Sequence, residues 1–388
     1  MEDRFVYMDY NATTPLRPEV KAEMIADLEV YANASSMHEA GRRARSRIEG
    51  ARASVAGLIG AKDPERVIFT SGGSESNNTV FATMFHLGRK GPRRGIVTTR
   101  IEHPCVLNSA KWLEEEGFPV TFLDVDEYGM VRLDQLRDAV GPGTLLVSIM
   151  LANNEIGTVQ NLRAAADIVK AAGAWFHTDG TQAVGKIPVD VDALGVDYMT
   201  MSCHKLYGPK GIGGLYIREG APLAPLIRGG HQEQGHRAGT YNNLGILGFG
   251  LAAELARAEL ESYGKKVSAL RLRLRDGILA SVPKVRVNGH PTSVLPNTLN
   301  VSFPGAEGEA ILLSLDLEGI RVSTGSACAS GSLEPSHVLL ATGVGPELAH
   351  GSIRFSLGRD TTENDVDYVI SKIGPIIARL RSMSTIAF

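Results

Sequence analysis

Cysteine is scarce in this chain: three among 388 residues, at positions 105, 203 and 328, with no C-x-x-C spacing. That excludes a disulfide framework and a cysteine-rich zinc site, and it fits a reducing cytoplasm. No apolar run approaches the ~18 residues a membrane span requires. The opening "MEDRFVYMDY" lacks the apolar core of a signal peptide, so a soluble cytoplasmic protein without membrane contact is expected. Neither sign of charge dominates, with 40 Lys and Arg against 43 Asp and Glu and a formal net charge of −3. A dedicated nucleic-acid binder, with its basic face, is therefore not expected. The one basic cluster, "GRRARSR" (41–47), is flanked by Glu39 and Glu49 and reads as a solvated helix face. Also missing are G-x-G-x-x-G and G-x-x-x-x-G-K-[ST] after any predicted strand, which argues against a nucleotide fold.

What the chain has is alternation. From about residue 66, short β-branched runs recur: "VIFT" (67–70), "IVTT" (96–99), "VTFLDV" (120–125), "LLVSIM" (145–150), "AWFHT" (174–178), "YMTMS" (198–202) and "GLYI" (214–217). Amphipathic stretches such as 104–116 and 161–172 separate several of them. Strands alternating with helices predict an α/β fold with a mainly parallel, seven-stranded sheet covered on both faces. After "GGHQEQGHRAGT" (229–240) the pattern changes. A long helix is expected over 243–281, broken near Gly264. Strand-like pieces "KVRVNG", "NTLNVSF" and "SIRFSLG" follow, mixed with helices near 307–317, 335–342 and 363–381. This predicts a smaller α+β domain on which the N-terminal segment docks. The expected division is 15–255 for the large domain, with 1–14 and 256–388 forming the small one.

In an open parallel sheet, ligands gather at the carboxyl ends of the strands. "VIFT" runs into "SGGSESNN", where Gly73 and Ser74 open a helix whose free N–H groups suit a phosphate. His103 follows "IVTT"; Asn153, Asn154 and Glu155 follow "LLVSIM"; Asp179 and Gln182 follow "AWFHT"; His204 and Lys205 follow "YMTMS". Singly these have plain alternatives, such as a helix cap, a turn-forming Asp or a solvated Lys. Together they suit pyridoxal phosphate. That cofactor needs a lysine for a Schiff base, a carboxylate to keep the ring nitrogen protonated, and an anion site for its phosphate. Asp179 fits the ring nitrogen and Asn154 the ring hydroxyl. Gln182 and Ser202 fit the ring hydroxyl and the phosphate.

The segments "YMDYNATTP", "TSGGSESNN", "NNEIG", "HTDGTQAVGK", "SCHKLYGPKGIGGLYI", "GTYNN", "STGSACASGSLEPSHVL" and "SIRFSLGR" resemble the cysteine desulfurases. These are enzymes of the class V aminotransferase group, and the resemblance runs from about residue 6 to beyond 370. The S-x-G-S-A-C form of the cysteine loop is similar to the nitrogenase-type and housekeeping group. The resemblance implies a PLP-transferase (aspartate aminotransferase-like) fold and a homodimer. It implies an activity that takes sulfur from L-cysteine, leaving L-alanine and a persulfide on Cys328. An acceptor protein in iron–sulfur cluster or thio-modification pathways then receives the sulfur. It also implies roles: Lys205 carries the cofactor, and His103 stacks on its ring as acid and base. Asp179 partners the ring nitrogen, while Asn154 and Gln182 contact the ring. Gly73, Ser74, Ser202 and His204 form the phosphate cup, and Thr240 reaches the neighbouring subunit's phosphate. Arg354, helped by Asn33, fixes the substrate carboxylate. A selenocysteine lyase or another class V transaminase would share the lysine, aspartate and phosphate site without needing Cys328 in the same way. A non-catalytic sulfur-pathway interaction protein would not need the intact set of Lys205, Asp179 and His103. Three cysteines are too few to hold an iron–sulfur cluster alone, so no metal site is expected beyond Cys328 lending one ligand to a shared cluster.

Cys328 sits in "STGSACASGS" (323–332), where eight of ten residues are Gly, Ala or Ser. It is open to two readings, a small buried residue or a thiol that must move between cofactor and acceptor. Cys203, between Ser202 and His204, is likewise either a small filler or an oxidation-prone thiol. Relatives carry N-P-S-S where this chain has "NASS" (33–36), so Ala34 relaxes the turn beside Asn33.

Overall fold

A computed structural model describes residues 5–324 and 334–384. The seven predicted runs form strands β2 (Val67–Thr70), β3 (Gly95–Thr99), β4 (Val120–Leu123), β5 (Thr144–Ser148), β6 (Trp175–Asp179), β7 (Tyr198–Ser202) and β8 (Gly213–Ile217). A short β1 (Val6–Tyr7) precedes them. Across the sheet the order is β2-β8-β7-β6-β5-β3-β4. Only β8 runs against its neighbours, β7 and β2. Period-two alternation separates the two faces. Phe69, Val97, Val147, Met199 and Tyr216 enter one hydrophobic cluster; their chain neighbours Ile68, Ile96, Leu146, Tyr198 and Leu215 enter another. Both faces are buried, which is why these runs read as continuously apolar.

The helices Gly73–Gly88 and Pro104–Glu115 cover one face, contributing Val80, Phe81 and Met84, and Val106, Ala110 and Leu113. The other is covered by Glu39–Leu58, by Leu162–Ala171 and by the first half of Asn243–Ser281. The basic cluster lies on the first of these. Arg45 pairs with Glu49 at 2.7 Å, and Arg47 pairs with Glu23 and Asp27, so much of its charge is neutralised locally.

Helix Asn243–Ser281 runs unbroken through Gly264, against the expected break. A Cβ at Gly264 would meet nothing within 4 Å, so glycine here marks no kink or close approach. The helix starts against the main core through Ile246, Phe249 and Ala253 and ends in a second core through Val267, Leu274 and Ile278. That second core lies beside an antiparallel sheet in the order β12-β13-β10-β9. Its strands are β9 (Arg286–Asn288), β10 (Thr298–Ser302), β12 (Ser323–Thr324) and β13 (Ser352–Ser356). β1 pairs in parallel with β11 (Ile320–Arg321), and Val6 and Met8 join the second core. The helix expected near 335–342 spans His337–Ala341, so Pro335 lies two residues before it. Ser336 takes the capping role, accepting from Leu339 N. Among the described residues, no helix is long and apolar enough to cross a membrane.

Candidate active site

Thr70, Thr99, Ser148, Asp179 and Ser202 all end their strands at one edge of the large sheet, and antiparallel β8 starts there with Gly213. A cavity of about 370 Å³ opens at this edge, reached by the N-terminal segment and by β13. Its lining includes Gly73, Ser74, His103, Asn154, Asp179, Gln182, Ser202, His204, Lys205 and Arg354, ten positions the sequence singles out. Asn33 and Thr240 are not brought in. Asn33 is exposed and accepts from Ser35 N at 2.9 Å, closing its own turn, and Thr240 is exposed. Cys328 lies outside the described residues.

Asp179 ends β6 with both carboxylate oxygens engaged: Thr181 N donates to Oδ1 at 2.9 Å and Asn77 Nδ2 to Oδ2 at 2.8 Å. Lys205 follows β7 in a short 3-10 turn and donates from Nζ to the carbonyls of Asn11 (2.5 Å) and Ala12 (2.7 Å). His103 caps the helix Pro104–Glu115, its Nδ1 accepting from Cys105 N. Burial lowers its pKa, with Lys205 and His337 acting the same way and Asp179 against. His204 is pushed down to about 4 by burial and by Lys205, Lys210 and Lys186, so it is neutral at pH 7. Arg354 on β13 is 2 % exposed; it donates from Nη1 to Asn154 O and from Nη2 to Asp9 Oδ1.

These residues fit the phosphate ester of an aldehyde-bearing pyridine. The helix Gly73–Gly88 directs its first N–H groups into the cavity, a ready anion site. A Cβ at Gly73 would stand 3.1 Å from Thr181 Oγ1, so glycine keeps this approach open. Arg354 Nε and Thr181 Oγ1 are buried without a hydrogen-bond partner among the described residues. Buried polar atoms are rarely left so, which marks them as groups awaiting a ligand.

Sequence reasoning did not pick out Asn11, Cys105 or Lys186. Asn11 knits the cavity wall, donating to Asn154 O and Thr298 Oγ1 and accepting from Lys186 Nζ and Asn297 Nδ2. Lys186 is buried with its pKa well below the usual value, and also donates to Gln182 Oε1 at 2.7 Å. The motifs containing them were visible, but nothing in the sequence says that residues 11 and 186 meet. Between the thiols the structure decides clearly. Cys203 is fully buried in the main core, its pKa well above the ordinary value, and serves as a small filler against Gly208. Cys105 is the thiol on the cavity wall.

The class V aminotransferase family model matches residues 6–369. The cysteine desulfurase IscS of Methanosarcina thermophila is 48% identical over 385 residues, covering 99% of this chain and 94% of that protein. A solved NifS-like protein superposes with a TM-score of 0.91 at 41% identity, covering 97% of this chain and all of that one. SspA, solved in complex with cysteine, gives 0.81 at 34% identity, covering 92% of this chain and all of that one. The chain belongs to the class V aminotransferase family. Within that family it is a cysteine desulfurase, a pyridoxal phosphate-dependent enzyme that takes sulfur from L-cysteine.

Proposed function

We propose that Lys205, Asp179, His103 and Arg354 desulfurate L-cysteine in this cavity, Cys328 taking the sulfur as a persulfide while L-alanine leaves. The observation that carries this reading is the convergence of those four described side chains on one cavity of about 370 Å³. Pyridoxal phosphate, when bound, supplies an aldehyde for an amine and a ring that draws electrons from the substrate α-carbon. Lys205 Nζ would hold the aldehyde and, once displaced by substrate, take the α-proton. The Asp179 carboxylate would keep the ring nitrogen protonated. Gly73, Ser74, Ser202 and His204 would hold the phosphate, and Asn154 and Gln182 the ring hydroxyl. Arg354 would present Nε to the substrate carboxylate, a charge-assisted bond in a buried setting. His103 would move the proton that frees the Cys328 thiol for attack, since an ordinary thiol of pKa ~8.5 is mostly un-ionised at neutral pH.

Both described ends of the Cys328 segment support its assignment. Ser323 pairs across the sheet with Arg354. At the other end, Ser336 Oγ donates to Glu155 and His337 Nε2 lies 3.0 Å from Glu102 O. Ser323 thus stands beside the cavity-lining Arg354, and Ser336 and His337 bond to the chain neighbours of the lining residues Asn154 and His103. The two cores support a division at 15–255 against 1–14 plus 256–388. A homodimer, with Thr240 serving the neighbouring subunit's phosphate, is supported by exposed Ile25, Leu28, Tyr31 and Met37 along one stretch and by Leu226 and Ile227 beside the 229–240 segment. Asn33 would have to be carried inward with substrate. The free thiols of Cys105 and Cys203 accord with a cytoplasmic location, and the acceptor is a protein of an iron–sulfur or thio-modification pathway.

One experiment on three proteins tests the chemistry. Wild type should be yellow, bleach with borohydride, and release alanine and sulfide from cysteine with a reductant. Cys328→Ala should keep the colour and lose the sulfide. A wild-type rate in that variant would remove the persulfide step, and a borohydride-reducible adduct in Lys205→Ala would remove the lysine assignment.

A further inference from the structure

The cavity wall contains a hydrogen-bonded chain that joins Asp179 to His103 through two residues to which no role has been assigned. Asn77 Nδ2 donates to Asp179 Oδ2 at 2.8 Å and to Cys105 Sγ at 3.1 Å. Cys105 Sγ in turn lies 2.9 Å from His103 Nδ1. We propose that Cys105, held by Asn77, is a positioning residue that donates its thiol hydrogen to His103 Nδ1 and thereby fixes the neutral ring with its proton on Nε2.

The direction of each bond follows from what the groups can do. An Asp carboxylate only accepts, so the amide of Asn77 must turn its NH₂ toward Asp179. Both amide hydrogens are then committed, and Asn77 Oδ1 has no hydrogen-bond partner among the described residues. That orphaned oxygen shows that the orientation is imposed by the carboxylate and the sulfur. At the other end, His103 Nδ1 already accepts the backbone N–H of Cys105 at 3.3 Å, as the cap of the helix Pro104–Glu115. A ring nitrogen that accepts from a peptide N–H carries no proton itself. The contact between Cys105 Sγ and Nδ1 therefore has sulfur as donor. The thiol is suited to that part, because burial, with Asp179 adding to it, pushes its pKa up to about 12. It stays protonated and is no rival to Cys328 as a nucleophile.

The ring thus turns Nδ1 toward the helix start and leaves Nε2–H on its opposite side, in a residue that lines the cavity. The charged and titratable groups around the imidazole are Asp179 from β6, Lys205 after β7 and His337 from the helix His337–Ala341, with Glu102 and Cys105 as its near neighbours in the chain. Of these, Cys105 alone contacts a ring nitrogen in the described hydrogen bonds. The tautomer is a property of the chain's own atoms and holds whether or not His103 is the acid and base proposed above. Its catalytic consequence, a proton offered from Nε2, rests on that reading.

The test uses full-length enzyme, cofactor-loaded and cofactor-free, ¹⁵N-labelled at histidine, with His103 assigned from a His103→Gln spectrum. Long-range ¹H–¹⁵N correlations should show the Nε2–H tautomer in wild type. Cys105→Ala deletes one donor to the neutral ring, so the His103 pKa should rise by roughly half to one unit. Cys105→Ser, whose hydroxyl also donates, should restore the wild-type value. A red-shifted S–H stretch should appear in the wild-type minus Cys105→Ser infrared difference. An Nδ1–H tautomer in wild type, an unshifted His103 in Cys105→Ala, or a Ser variant no closer to wild type than Ala would each overturn the proposal. Loss of turnover in His103→Gln reports separately on the catalytic role, so the two readings fail independently.

Discussion

Arg354 places Nη2 2.8 Å from Asp9 Oδ1, pinning the last strand of the small sheet to the N-terminal segment at the cavity wall. The guanidinium is buried, and with Asn154 O taken by Nη1 its fork is fixed while Nε stays without a partner among the described residues. Two elements far apart in sequence therefore pre-aim one donor group.

Arg354→Lys should raise KM for cysteine more than it lowers kcat, with a loss of roughly 100-fold in kcat/KM, because a lysine cannot reproduce the planar fork. Asp9→Asn keeps the arginine but loosens its anchor, and a smaller loss of about tenfold is expected. Steady-state kinetics on cysteine decide it; an unchanged KM in Arg354→Lys would remove the carboxylate role.

Lys186 should matter for stability more than its distance from chemistry suggests. Its amine is the donor to Asn11 Oδ1 and Gln182 Oε1, both buried. Lys186→Met leaves Gln182 Oε1 unpaired and Asn11 Oδ1 with Asn297 Nδ2 alone, at a cost of about 1–3 kcal/mol. Urea unfolding with the cofactor removed should show the lower midpoint, and a midpoint within error of wild type would contradict the network.

Two glycine-to-alanine changes should have opposite effects. At Gly213, which opens β8, a Cβ would stand 2.6 Å from Gly72 Cα and 2.7 Å from Met201 O. The loop before the helix Gly73–Gly88 must then move, so Gly213→Ala should weaken pyridoxal phosphate binding by roughly tenfold or more, read by equilibrium dialysis. Gly264→Ala adds a methyl in open space within the long helix and should stabilise the chain by about 0.5–1 kcal/mol. A loss of stability there would mean the helix is interrupted at that point.

Two buried glutamates should pull stability down as pH rises from about 6.5 to 8. Burial raises Glu155 to about 7 and Glu102 to about 8, so over this range the folded chain retains protons that the unfolded chain, titrating near 4.5, has released. Their stabilising contribution is whole below the unfolded value and is lost as pH passes through the folded values. His177 and His204, both lowered to about 4, act oppositely, adding stability as pH rises from 4 to about 6.5. Above 6.5 the two glutamates contribute a combined loss on the order of 2 kcal/mol by pH 8, against which Lys186, held well below its ordinary pKa by burial, adds stability. Denaturation midpoints across this range measure it, and Glu102→Gln should make the slope above pH 6.5 less negative than that of wild type. Equal slopes in the two proteins would remove the assignment.

Much of the fold was legible because its elements repeat local signals. The strand β2 matches "VIFT" residue for residue, and "YMTMS" matches β7, since β-branched and apolar runs bounded by turns leave little choice. Nine of the ten lining residues found from sequence were found by one rule, that ligands collect where parallel strands end, and Arg354 came from the resemblance alone. Local signals misled where context decides. Gly264 carries a helix-breaking residue, yet packing at both ends of a 39-residue helix holds it straight through. Cys105 was not singled out, since nothing local to it records that its thiol meets Asn77.

The sequence by itself determined the alternation of strands and helices, the strand-end placement of Asp179 and Lys205, and the family's chemistry, because these follow from residues near one another in the chain. Only the tertiary structure decided what spans the chain. Asn11 meets Lys186, Asp9 meets Arg354, and Asn77 hands hydrogen bonds to both Asp179 and Cys105. Such pairs are fixed by the burial of two cores against one another, which leaves polar atoms from distant segments to satisfy each other, and no local pattern records that requirement.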